Sequence, residues 1–178
     1  RTYGTDSEVV VLGWDDSDTH TTNFWEELAS VNASGSSSNL STGTFTAKKY
    51  LWIQYYVETT STVYSINRFN NDTTATYAWR NSSNGGGDST TASDTAFYPA
   101  VSAANGHFCN MFIVNNSANE KLVISHTVSQ NTAGATAPQR REGTTKWANT
   151  SSQITEMDID ASTGNWGANS IVKVWGSN

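Results

Sequence analysis

Along most of the chain, apolar and polar residues alternate with a period of two, interrupted at short intervals by clusters of Gly, Asn, Asp and Ser. That period places successive side chains on opposite faces of an extended strand, so the pattern predicts strands joined by turns. The clearest instance is residues 49–58. Leu51, Ile53, Tyr55 and Val57 fall on one face, and Tyr50, Trp52, Gln54 and Tyr56 on the other. The first set predicts a core face. The second is aromatic with one polar break, so it is either covered by another layer or presented to a partner. Residues 63–70 are expected to return as the second strand of a hairpin, and the turn Asn70-Asn71-Asp72 leads into a strand at 76–80. Further strands are expected at 107–114, 121–128, 145–148, 154–161 and 170–175, with the turn 115–119 joining the first two. Residues 23–31 read as a strand, although Phe24, Glu27 and Leu28 also suit a short helix. The polar stretch 32–42 and the glycine-rich run 84–88 read as loops.

Roughly nine short strands, close turn signals and no convincing long helix predict an all-β fold: a two-sheet antiparallel sandwich, jelly-roll-like. The 178 residues suffice for one domain with a real core and are too few for two, so a single β-sandwich domain is expected over 1–178. Its first run, residues 7–14, echoes 170–177 in hydrophobic pattern and in ending on Trp and Gly. Residues 1–14 are therefore expected as a closing strand, or as one that is exchanged with, or links to, a neighbouring unit. The chain opens on Arg1-Thr2-Tyr3, with neither Met nor signal peptide, and reads as a processed chain or a piece of a longer one.

Composition changes this picture in two ways. Charged residues make up 15%, well under the usual quarter, and Ser, Thr, Asn and Gly take their place, so solubility rests on neutral hydrogen-bonding groups. The hydrophobic share of 36% is low, but seven Trp, seven Tyr and six Phe are the mark of a chain that folds. A net charge of −6, with no basic cluster beyond Lys48-Lys49 and Arg140-Arg141, argues against nucleic acid as a partner. No apolar run approaches the roughly 20 residues of a membrane span, so no membrane insertion is expected. The single cysteine, Cys109, permits no internal disulfide.

Candidate chemistry is sparse, and no cofactor and no catalytic residues are expected. Cys109 shares a strand face with His107 but sits among Phe108, Met111 and Phe112, which suits a buried structural thiol. No Gly-x-Ser-x-Gly elbow frames any serine. Glu156, Asp158 and Asp160 alternate along one strand and read as the solvent face of an edge strand, where charge blocks unwanted pairing. Asp15, Asp16 and Asp18 form an acidic turn that would suit calcium, but they read more simply as solvated turn residues; zinc has no ligand spacing here. Tyr50, Trp52 and Tyr56, with Val9 and Val11 of the first strand, are the candidates for a subunit interface. Trp166, in the turn Gly164-Asn165-Trp166-Gly167, has little local core to enter and is, with Asn165, the candidate carbohydrate platform. Asn-x-Ser/Thr sequons occur at Asn32, Asn39, Asn71, Asn81, Asn115 and Asn149, a frequency that chance explains in so polar a chain.

Four segments carry a family resemblance. They are residues 24–30 (FWEELAS), 40–52 (LSTGTFTAKKYLW), 68–72 (RFNND) and 171–178 (IVKVWGSN). Together they resemble domains in structural proteins of tailed bacteriophages and related viruses, especially marine ones. The resemblance implies a non-enzymatic virion component on the particle surface: a head-decoration, tail or fibre-associated β-sandwich in symmetric multimers. Its partners would be other copies of itself, other virion proteins and, in a receptor-binding role, host-surface glycans. The alternatives are a carbohydrate- or receptor-binding module built on Trp166, and a β-sandwich glycosidase needing Glu156 or Asp158 in a cleft with a second carboxylate.

Overall fold

The computed structural model describes residues 24–59, 61–102, 104, 106–129 and 134–178. Val9, Val11, Asp15, Asp16 and Asp18, and with them the first strand, lie outside the described residues. Eleven strands and no helix are present among those described: β1 (Glu26–Asn32), β2 (Asn39–Ser41), β3 (Tyr50–Val57), β4 (Ser65–Phe69), β5 (Tyr77–Ser83), β6 (Ser89–Asp94), β7 (His107–Val114), β8 (Lys121–Ser129), β9 (Gln139–Trp147), β10 (Met157–Ala161) and β11 (Ile171–Ser177). They form two antiparallel sheets. The larger has eight strands in the order β1-β11-β3-β7-β8-β9-β5-β6, and the smaller has three in the order β2-β10-β4. The fold is sandwich-like, but the split of eight and three is not the pair of matched sheets that a jelly roll leads one to expect.

The alternation in β3 makes the core. Leu51, Ile53, Tyr55 and Val57 are buried, as are Cys109, Met111 and Ile113 on β7 and Val172 and Val174 on β11, which lie beside them in the ladder. From the small sheet come Leu40, Phe69, Met157 and Ile159. At the other end of the large sheet, Trp147 and Tyr77 stack against each other and pack against Phe69, with Phe97 closing the cluster.

Several expectations need correcting. Residues 63–70 do not return beside β3. β4 crosses to the small sheet and pairs β10, because Phe69 and Asn67 face inward from there and Tyr55 reaches across to meet them. β10 is the centre of its sheet and not an edge. Its carboxylates are held by neighbours: Arg68 Nη1 donates to Asp160 Oδ2 at 2.6 Å, Asn39 Nδ2 to Asp160 Oδ1 at 2.8 Å, and Ser41 Oγ to Glu156 Oε1 at 3.0 Å. Asp158 is buried with Oδ2 lacking a hydrogen-bond partner, and burial, with the charges of Glu156 and Asp160, raises its pKa. Within the expected loop 32–42, Asn39–Ser41 forms β2. The glycine-rich run 84–88 is a loop, as expected, and closes a hairpin: Asn84 and Gly85 both have positive φ (53° and 76°) and Gly86 N–H donates to Ser83 O, which matches the right-handed twist of β5 and β6.

Asn115 is the clamp that ties the β7–β8 turn to the strand entering β10. Its side chain donates to Lys48 O and Ile154 O, each at 3.0 Å, and accepts from Ile154 N at 2.7 Å, and the residue is fully buried. Asn115→Ala would leave three backbone groups without partners, two of them buried, so a loss of about 3 kcal/mol is expected, read as a fall in the urea midpoint at unchanged m-value. The same burial makes this sequon unfit to carry a glycan, and Asn81, also buried, is unfit for the same reason.

Candidate interaction face

The outer face of the large sheet is built by the residues that alternate with the core. On β3 these are Tyr50, Trp52, Gln54 and Tyr56, all half-buried. Register places Val114, Phe112, Asn110 and Phe108 of β7 directly opposite them, and Leu122, Ile124, His126 and Val128 of β8 opposite those in turn. Two apolar rows, Tyr50-Val114-Leu122 and Trp52-Phe112-Ile124, run across the strands. A polar row, Gln54-Asn110-His126, separates them from a third apolar row, Tyr56-Phe108-Val128.

β8 is the informative strand because its pattern is largely inverted: of its five inward residues only Val123 is apolar. Lys121, Ser125, Thr127 and Ser129 point inward and are buried, while Leu122, Ile124 and Val128 point out with 55%, 58% and 42% of their surface exposed. The inward polar groups are partly accommodated. Lys121 Nζ donates to Asn119 O at 2.6 Å and Asn149 O at 2.8 Å, and Ser125 Oγ donates to Gly143 O at 3.3 Å. Gly143 itself is required here, since a Cβ would stand 2.3 Å from Asn81 Oδ1 and 2.8 Å from Ser125 Oγ. Next to it, Arg141 draws the segment after β6 over the inner face by donating to Tyr98 O and Ala100 O at 2.9 Å. A strand that turns polar groups in and aliphatic groups out is poorly matched to an isolated domain. Fully burying one Leu, Ile or Phe side chain gains about 1.5–3 kcal/mol, so the half-exposed apolar residues of β7 and β8 hold a large unused driving force for association.

The aromatic residues on this face are already engaged with each other. Trp52 stacks on Phe112 (centroids 5.7 Å, planes 11° apart), lies 4.9 Å from Trp175 and receives the edge of Trp25 at 6.0 Å. Its indole N–H donates to Asn110 Oδ1 at 2.6 Å, where Gln54 Nε2 also donates at 3.0 Å. These rings pack on one another rather than standing apart, which suits a packed protein surface better than sugar stacking. Between Phe24-Trp25 and Ile124 the face is indented by a groove of about 550 Å³, floored by Tyr50, Phe112, Val114 and Leu122. Charges are kept to its margins in pairs: Lys173 with Glu27, Lys146 with Glu120, Arg80 with Asp88, and Arg140 with Glu142.

The expected carbohydrate platform is not assembled. Trp166 is 0% exposed. Its indole N–H donates to Ile159 O at 2.8 Å, its ring meets His107 edge-on, and its turn is tied down by Trp166 N–H to Ser37 O and Gly167 N–H to Glu58 O. The turn has little core of its own, but it is folded onto the core between the sheets. Asn165 stays exposed. Cys109 is buried as expected, but of the three neighbours that suggested it only Met111 shares its inward face, Phe108 and Phe112 pointing outward; burial pushes its thiol up to about 11. His107 lies in the same interior, with Nε2 at 3.2 Å from Ser65 Oγ; burial lowers its pKa to about 4.

Tyr50, Trp52 and Tyr56 are thus brought together with residues that sequence reasoning did not single out: Phe108, Phe112 and Val114 of β7 and Leu122, Ile124 and Val128 of β8. The available signal was the strict alternation of β8, whose inward face cannot be chosen until Cys109, Met111 and Ile113 are known to be core. Neither models of known protein families nor curated proteins give a match to this chain.

Proposed function

We propose that the chain is a non-enzymatic structural component of a virion, mounted in multimers on the particle surface as a head-decoration, tail or fibre-associated module, with the outer face of its large sheet buried against neighbours. The observation that carries the reading is the inverted strand β8 together with the exposed Phe108, Phe112 and Val114 beside it. An aliphatic and aromatic face bordered by paired charges is what an assembly surface requires. The rest of the reading is supported by the sequence resemblance. Its four segments fall on neighbouring elements: 24–30 enters β1, 171–178 contains β11 and 40–52 enters β3, three adjacent strands of the large sheet, while β2 and the end of β4 both flank β10. A surface rich in Ser, Thr and Asn, without disulfides, suits exposure outside cells.

Mass spectrometry of gradient-purified particles from the source tests it. Peptides of this chain should be recovered at many copies per particle, and Ile124→Glu should abolish incorporation. Particles lacking the chain, or full incorporation of the variant, would defeat the reading.

A further inference from the structure

We infer that the partner covering this face is a second copy of the chain, packed sheet face to sheet face about a two-fold axis; the inference rests on the assembly reading and names the neighbour it leaves open. Area is the first argument. The outer face spans β11, β3, β7, β8 and β9, the outer two strands carrying the paired charges of the rim; at about 4.8 Å between strands and about 7 Å between its four rows it covers roughly 600 Å², so two copies remove about 1,200 Å² from water, the lower bound for a specific, stable interface.

Charge is the second. The chain carries −6 overall, which opposes self-association across most of its surface. The outer face escapes this opposition, because four of the cations at its margin are neutralised by carboxylates, in the pairs Lys173–Glu27, Lys146–Glu120, Arg80–Asp88 and Arg140–Glu142, and Lys49 adds a positive charge over the Tyr50 ring. A basic partner would find no unpaired acidic surface among these pairs, and a second acidic copy meets no local repulsion.

The third argument is the order of the rows. Apolar rows flank one polar row, Gln54-Asn110-His126. A two-fold axis lying in the interface across the rows, parallel to the strands, lays each row on its own counterpart, polar over polar and apolar over apolar. Asn110 and His126 then find amide and imidazole partners from the other copy, and the exposed Phe112 and Ile124 are removed from water. An isologous contact of this kind closes on itself and gives a dimer.

The test uses the full chain. Sedimentation equilibrium should show a reversible dimer, and Ile124→Glu should raise its dissociation constant by at least about 30-fold, as expected for an anchor at the centre of an interface. Because Ile124 is mostly exposed within the protomer, circular dichroism of the variant should match that of the parent. The native cysteine is buried, so single-cysteine reporters read cleanly. His126→Cys should be captured as a covalent dimer by a short bis-maleimide, whereas Thr73→Cys, exposed in the turn before β5, should not. A benzophenone maleimide on the His126→Cys variant should likewise photo-crosslink to a second copy. A monomer at all concentrations overturns the inference, as does a dimer indifferent to Ile124→Glu. Photo-crosslinking of that label to residues 1–23 of the same chain would make the chain's own leading segment the occupant and equally refute a second copy. Each of these outcomes leaves incorporation into particles as a separate measurement, so a failed dimer and a failed assembly reading are told apart.

Discussion

Replacing Trp166 by alanine should destabilise the protein by about 3–5 kcal/mol, the range for removing a fully buried large aromatic. The indole fills the space between β10 and His107, and its N–H is the partner of Ile159 O in the middle of the small sheet. Alanine would leave both a cavity and an orphaned carbonyl, and the two costs add. For a domain of this size each kcal/mol moves the melting temperature by roughly 2–4 °C, so a fall of about 10 °C is expected in differential scanning calorimetry. An exposed sugar platform would behave in the opposite way, losing ligand binding with no change in melting temperature.

Acid should weaken the fold well above the pH at which carboxylates titrate. His107 is 1% exposed, with Tyr55 and Trp166 presenting ring edges to it. Its Nε2 shares a hydrogen bond with Ser65, and Nδ1 has none. Burial lowers its pKa from 6.5 to about 4. In the unfolded chain the imidazole takes up a proton near 6.5, while in the folded chain it resists until about 4. Stability from this residue is therefore complete above pH 6.5 and is lost as pH falls towards 4. The gap corresponds to roughly 3 kcal/mol. The titratable neighbours do not share that window, since burial lifts both Cys109 and Tyr55 upward. Asp72 acts lower: burial opposes its charge, but hydrogen bonds from Thr74, Trp147 and Thr76 hold its carboxyl below the usual value, so its contribution fades only beneath that range. Asp158, whose raised pKa makes acid favour the fold, works against this loss, so the comparison carries the prediction: between pH 6.5 and 4 the urea midpoint of His107→Gln should fall less than that of the parent. An equal slope in the variant would assign the acid sensitivity elsewhere.

The all-β class and most strand positions were legible because period-two alternation is strong wherever one face is apolar. β3, β7, β8 and β11 are found within a residue or two of where the alternation puts them. The signal fails where no apolar face exists. β6, with the sequence Ser89-Thr90-Thr91-Ala92-Ser93-Asp94, and the first half of β9, around Arg140-Arg141-Glu142, are polar on both sides and are strands only because β5 and β8 supply ladder partners. Pairing across sheets was equally out of reach: β4 follows β3 after a short turn, as a hairpin would, yet it belongs to β10. For the candidate site, the Tyr50-Trp52-Tyr56 face could be read as a place to look for a partner. Its continuation across β7 and β8 could not, because alternation tells which residues share a face but not which face is buried. Trp166 misled for a related reason, since a glycine-flanked turn looks solvent-exposed until the distant segments around Glu58 and His107 are brought against it.

The central claim is that the outer face of the large sheet is covered in the assembled protein. Hydroxyl-radical footprinting of the protein at high concentration and in particles, compared with dilute protomer, reads that directly at Phe108, Phe112, Leu122 and Ile124. The account predicts strong loss of oxidation at these four side chains on assembly, with exposed positions such as Tyr64 unchanged. Equal oxidation of the four in both states, with protection appearing on the three-stranded sheet instead, would contradict it.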